Sequence, residues 1–501
     1  MGNVSIRSDD IKSLRSGIFG WRRNSSIVCG LIFVLPATSQ SSDQKSLVPS
    51  EDPSADYAIQ NLDATPYQSI PNQAKKSIPY TMRLGTASAR FSAATAFTYT
   101  DNALATSNSL GPSDDFVISP LLSTAILWPI TELNALQIDV GIGYQKHFVQ
   151  TGMDALTITP NSSLSWAILL EKIRIALFNR TSTPGELIDR PEFISSGSPE
   201  SSVFRRISNQ SGFSASWIIT EDLSLQGGYS FGLDRGLAGS YNNLDRNSHT
   251  LSSSLFRRLD PRWTVGLSGS AAQDTFVTGF QNGSQSYSVG VLAAFRFSDN
   301  LSLNAGLRQS ISLFDNDGKV SDTSDFSGLT YDFQITHQFR PRWSYSLSGG
   351  KAMHTGIGSN FTEELSAILA LNWTPAPNWG VQANTSYINA LNSGSVISLP
   401  LEVFRLAGPE YFKPELPGMV DDGVGGLFYF PPGATDRGNG VVAIPLPGQG
   451  TDLYQFGITL THSFTAKFTS SLQFIHALRI SDLLLRNHQQ NTLSLNLNYL
   501  F

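Results

Sequence analysis

The sequence predicts an all-β chain, folded as a transmembrane antiparallel up-and-down β-barrel of about 18 strands. Three observations predict it: strict alternation of apolar and polar residues over segments of ten to thirteen residues, connections that are alternately short and long, and aromatic residues gathered beside the short ones. Only 15% of the 501 residues are charged, below the roughly 25% of an ordinary soluble domain. The 11% aromatic content excludes a disordered chain, and no apolar run reaches the ~20 residues of a membrane helix. A formal net charge of -6 leaves no basic surplus for nucleic acid, and one cysteine excludes zinc clusters and disulfide frameworks.

Residues 1–39 read as an export signal peptide. Arg7, Lys12, Arg15, Arg22 and Arg23 precede the apolar run Ile27–Leu35, which is too short to span a bilayer, and Ala37 and Ser39 supply the small residues of a cleavage site. Removal of this segment takes away five positive and two negative charges, so the -6 of the whole chain becomes -9, and it takes away Cys29, the one cysteine. Residues 40–79 are polar and interrupted by proline without periodicity, as in a flexible periplasmic lead-in. The barrel is expected over 80–501.

Within it, Leu136, Ile138, Val140, Ile142 and Tyr144 fall on one face of a strand, and Gln137, Asp139, Gly141, Gly143 and Gln145 on the other. The same pattern runs through 223–231, 287–295 and 343–348. A soluble sandwich also alternates, so the connections decide between them. Eight short turns are expected at 129–134, 171–172, 219–222, 259–262, 298–300, 340–342, 374–377 and 465–467, separated by polar stretches such as 181–204, 234–247, 272–283 and 315–324. Eight turns and nine loops make eighteen strands, and an even number puts both ends of the barrel chain on the short-turn, periplasmic side, with the long loops external.

Trp128, Trp217, Trp263, Trp343, Trp373 and Trp379 all lie at or beside short turns, the arrangement of an interfacial girdle. At the C-terminus, Leu493, Leu495, Leu497, Tyr499 and Phe501 share one parity, while Ser494, Asn496 and Asn498 take the other. Leu495, Leu497, Tyr499 and Phe501 resemble the closing-strand signal that barrel assembly machinery reads in bacterial outer membranes.

The stretch 389–450 breaks the spacing. It holds eight prolines and is read as one long loop that folds inward and narrows the lumen. The alternative is a disguised hairpin near 397–406 and 440–446 that would make twenty strands, against which Pro400, Pro445 and Pro447 count.

The polar parity is mostly Ser, Thr, Asn, Gln and Gly, with pore-lining candidates at Asp139, Arg174, Arg180, Arg308, Asp332 and Glu364. Their mixed signs suggest weak charge selectivity, or pairing across the wall. No catalytic residue, cofactor site or metal site is assigned. The seven histidines are scattered, with His337 and His462 placed like girdle residues, and the FDNDGK run at 314–319 lacks the distal Glu of an EF-hand.

The hairpin FTYTDNALATSNSLGPSDDFVISPLLS, Phe97–Ser123, resembles that of the β-barrel porin 2 family, and the hairpin ladder extends the likeness over 80–501. The resemblance implies an outer-membrane porin-like channel in a Gram-negative-type bacterium, for passive diffusion of small polar solutes, with no enzyme activity. Family members linked to exopolysaccharide clusters leave a component of polysaccharide export, or a structural or adhesive barrel, as alternatives. Expected partners are outer-membrane lipid, the barrel assembly machinery, and small polar solutes or polysaccharide.

Overall fold

A computed structural model describes residues 80–501, apart from 104–111, 160–161, 184, 187–203, 238–244, 280, 316–317, 319–321, 357–358, most of 401–449, and 482–486. The signal peptide and lead-in expected over 1–79 lie outside the described residues. Each alternating segment forms a strand, because a period of two puts its apolar residues on one sheet face and its polar residues on the other. In chain order the barrel strands are β1 Ala87–Thr100, β2 Asp115–Pro129, β3 Asn134–His147, β4 in two pieces Ala155–Ile158 and Ser163–Leu170, β5 Ile173–Ser182 and β6 Phe204–Ile218. They continue as β7 Leu223–Gly236, β8 Arg246–Arg258, β9 Trp263–Phe276, β10 Ser284–Ser298, β11 Leu301–Phe314 and β12 Phe326–Arg340. The last six are β13 Trp343–Thr355, β14 Phe361–Trp373, β15 Trp379–Asn392, β16 Gly450–Ser463, β17 Phe468–Ser481 and β18 His488–Leu500.

Every neighbouring pair is antiparallel, and β18 returns to β1 with Leu500 opposite Ser92 and Thr492 opposite Thr100. The eighteen strands therefore close into a barrel with no free edge. At the seam's short-turn end, a short arm, Met82–Leu84, folds back on Ala87–Ala89 through Gly85 at φ +60°. There Phe501 N donates to Phe91 O at 3.1 Å, and Phe91 N donates to Thr81 Oγ1 at 3.2 Å.

All eight short turns fall where the sequence puts them. In the β6–β7 turn, Thr220 Oγ1 donates to Asp222 Oδ1 at 2.7 Å, and that bond is the main reason the Asp222 carboxyl titrates below its ordinary range. The wall weakens at β2–β4. Pro120 has no donor for the ladder, and next to the second piece of β4 a side chain takes the place of a ladder carbonyl, Ser162 Oγ accepting from Gly141 N at 2.9 Å.

The number of barrel strands is eighteen, not twenty. The disguised hairpin exists, as Gly394–Pro400 against Val441–Pro447, but it forms a separate sheet with Thr435–Asp436 while β15 pairs directly with β16. A wall strand between two neighbours needs amide donors on both sides, and Pro400, Pro445 and Pro447 have none. The loop itself is 393–449, four residues shorter at its start than expected, because β15 runs on to Asn392. The expected loops 234–247 and 272–283 shrink similarly, since β7, β8 and β9 extend into them.

No helix among the described residues is long and apolar enough to cross a membrane; the strands are the only elements of suitable pattern. The outward parity carries the exposed large apolar residues: Leu122, Leu251, Leu267, Val289 and Leu365 among them. That is the reverse of a soluble fold, in which such residues form the core. Aromatics close the apolar belt at the short-turn end. Trp128, Trp217, Trp263 and Trp379 are exposed and Trp373 is half-buried, but Trp343 is buried, stacked on Trp373 with centroids 5.3 Å apart. His337 packs edge-on to Tyr345, and His462 lies 4.2 Å from Trp379, both within this band.

Candidate functional site

The inward parity defines the lumen. All six residues expected to line it occupy that parity: Asp139 on β3, Arg174 and Arg180 on β5, Arg308 on β11, Asp332 on β12 and Glu364 on β14. Their surroundings differ. Arg174 is exposed, Asp139 accepts from Gln137 Nε2 at 2.6 Å, and Arg180 stands 5.1 Å from the centroid of Phe178. Arg308 Nη1 and Asp332 Oδ1 pair at 2.5 Å across β11 and β12. The pair needs the glycines around it: a Cβ on Gly306 would stand 2.7 Å from Asp332 Oδ1, and one on Gly290 would stand 2.5 Å from Arg308 Cγ. Glu364 is buried and meets His354 Nε2 at 3.2 Å, so the histidine dismissed as scattered is a lumen residue with a carboxylate beside it.

Sequence reasoning missed a larger feature. Arg206, Asp234, Arg246 and Asp274, inward on the successive strands β6 to β9, form a ladder of alternating charge with N–O separations of 3.8, 3.0 and 4.0 Å. Thr355 Oγ1 on β13 donates to the same Asp274 at 3.2 Å, four strands away. Counting inward strand residues gives arginines at 90, 174, 180, 206, 246, 258, 296, 308 and 479, against carboxylates at 115, 139, 234, 274, 332 and 364. Asp234, between the two arginines of the ladder, is buried, so replacing it by alanine removes a partner from two half-buried guanidinium groups at once. The expected result is a loss of about 1–3 kcal/mol, read as a lower urea midpoint for the barrel refolded into vesicles.

Burial of inward residues is concentrated at the long-loop end. Asp115, Ser312, Phe326, Thr362, Asn392 and Arg479 are all buried and stand within five residues of it. Asp115, from the Asp-Asp-Phe of the first hairpin, takes bonds from Phe116 N, Phe148 N and Val149 N and lies 2.7 Å from His147 Nδ1. Phe314, Phe326 and Phe361 pack together with Met353 against them. Nearer the short turns the inward side chains are exposed or half-exposed, except at Ala135 and where Phe256 and Leu292 pack over Gly266.

Between successive long loops runs a polar network. Asn282, in the β9–β10 loop, donates from Nδ2 to Asn360 Oδ1 at 2.7 Å and to Asp322 O at 2.9 Å, and its Oδ1 accepts from Gly318 N at 2.9 Å. Gly318 must be glycine for this approach, since a Cβ there would lie 2.6 Å from that oxygen. Asp322, in the β11–β12 loop, accepts at Oδ2 from Asn360 N at 2.9 Å and from Ser393 Oγ at 2.5 Å, and at Oδ1 from Ser324 N at 2.9 Å. Ser393 begins the long loop, and its N donates to Phe361 O at 2.9 Å. Among the described residues no group of three or more His, Cys, Asp or Glu is placed to hold a metal ion.

No family model and no curated protein matches the chain. Solved structures of similar shape include Pseudomonas aeruginosa OccK2 (OpdF) in complex with glucuronate, at 9% identity and a TM-score of 0.44 over 82% of this chain and 98% of that one. Others are P. aeruginosa OpdK with vanillate, at 9% identity and 0.41 over 82% and 99%, and Acinetobacter baumannii OccAB3, at 11% identity and 0.42 over 83% and 100%. Similarity at this level adds nothing to what the strand order already establishes.

Proposed function

We propose that the chain is a porin-like channel of the outer membrane of a Gram-negative-type bacterium, through which small polar solutes diffuse down their gradients. The observation that carries this reading is the closed ring of eighteen antiparallel strands with exposed apolar residues outside and Ser, Thr, Asn, Gln, Gly and paired charges inside. A barrel of that strand number encloses an aqueous lumen. The six lining residues, with the ladder of β6 to β9, are its polar wall. Nine inward arginines against six carboxylates favour anions weakly, because most of the charges are compensated by a neighbour. Passage is slowest at the long-loop end, where inward side chains are buried. The aromatic band and the Leu495, Leu497, Tyr499 and Phe501 parity suit insertion by the barrel assembly machinery.

Liposome swelling with neutral sugars of graded size, together with the reversal potential in a salt gradient, tests the reading. Swelling that falls with solute size and a small anion-side reversal potential are expected. Absence of swelling from heat-modifiable, folded protein would instead support the second reading that the packed long-loop end favours: a barrel that works through its loops, in adhesion or in exopolysaccharide export.

A further inference from the structure

We propose that Asp322 is the positioning residue of a clamp that ties together the described roots of four successive long loops and so holds the rim of the lumen at that end. Its two carboxylate oxygens take three hydrogen bonds, from Ser324 of its own loop, Asn360 of the β13–β14 loop and Ser393 at the root of the long loop. Asn282 brings in the β9–β10 loop through the backbone oxygen of Asp322 and the side chain of Asn360. A carboxylate is suited to this place because it accepts bonds from separate directions and offers no donor that would need a partner of its own. Asn282 and Asn360 are buried, so these bonds do not compete freely with water, and Ser393 is held again by the ladder of Gly394–Pro400 with Val441–Pro447 that follows it. The loops are far apart in sequence; their backbones meet at the roots, where Asp315 N donates to Gly283 O and Ser393 N to Phe361 O, and the side chains of Asp322, Asn282 and Asn360 tie them beyond that. Asp322 acts through Ser393 on the root of the long loop and through Asn360 on the β13–β14 loop.

The consequence for transport rests on the channel reading above, and the test separates the two. Amide hydrogen exchange of the folded full-length barrel is compared for wild type, Asp322→Ala, Asp322→Asn and Asn282→Ala. Asp322→Ala is expected to speed exchange about tenfold or more at Ser324, Asn360 and Phe361, the scale of losing a charge-assisted hydrogen bond, with the strands β1 to β18 unchanged. Asp322→Asn, which keeps one acceptor oxygen, falls between. Asn282→Ala loosens the β9–β10 and Gly318 arms and releases the Asn360 side-chain oxygen, while the three bonds to the Asp322 carboxylate remain. Single-channel records of the same variants should show more frequent partial closures and a lower closing voltage in the order Asp322→Ala, Asp322→Asn, wild type, a change that loss of stability alone would not grade. Unchanged exchange at those amides overturns the clamp. Faster exchange in a protein that conducts no ions leaves the clamp standing and overturns the channel reading, whereas faster exchange with unaltered closures overturns the role in positioning the opening.

Discussion

Val289→Arg is expected to prevent the barrel from reaching its folded, heat-modifiable form in lipid, whereas Ser288→Arg, one residue away, leaves folding nearly unchanged. Val289 lies mid-strand on β10, 66% exposed on the outward parity and opposite Gly269 and Gln309. An arginine there would face hydrocarbon, which costs about 2–4 kcal/mol near the midplane of the bilayer. Ser288 points inward, with its hydroxyl 2.8 Å from that of Ser270. An arginine there would enter the lumen and reach water and polar neighbours. The contrast reads the sheet's two faces directly, through the heat-modified fraction on electrophoresis and the urea midpoint in vesicles. Equal damage from both substitutions would place hydrocarbon on neither face and contradict the membrane reading.

Excision of residues 395–445 should raise single-channel conductance roughly twofold or more while the eighteen strands still assemble, because a constriction in series with the lumen dominates its resistance. The cut is possible because Gly394 and Pro447 are partners across an antiparallel ladder, so the ends to be rejoined are already neighbours, and because β15 pairs with β16 without the loop. A shortened protein that fails to fold would mean that the ladder of Gly394–Pro400 and Val441–Pro447 supports the wall. Normal folding with unchanged conductance would mean that the loop does not narrow the lumen.

The barrel was legible because lipid enforces a pattern: wherever a strand crosses hydrocarbon, its outward residues must be apolar, and the short turns must follow closely on the aromatic band. That signal stops where the membrane stops. Asn247, Gln273 and Thr275 are outward residues of β8 and β9 beyond the apolar belt, so alternation vanishes there and the strand ends read as loops. Asp234, Arg246 and Asp274 sit in those misread ends, and the ionic ladder was hidden for that reason. Trp343 keeps the expected parity, but stacking on Trp373 buries it, a contact between strands that position beside a turn does not reveal. The Asp322–Ser393 bond joins residues 71 apart through two loops of no periodicity, and only the closed sheet brings them together. His354 and Glu364 are ten residues apart on two strands of one hairpin, and their shared inward parity was the one available clue.

Single-channel conductance in planar bilayers tests the central claim most directly. Folded, heat-modifiable protein is expected to give discrete, ohmic steps whose size scales with bulk salt conductivity, as a water-filled lumen requires. The same protein inserting without any conductance, at all voltages tested and also after excision of 395–445, would contradict it.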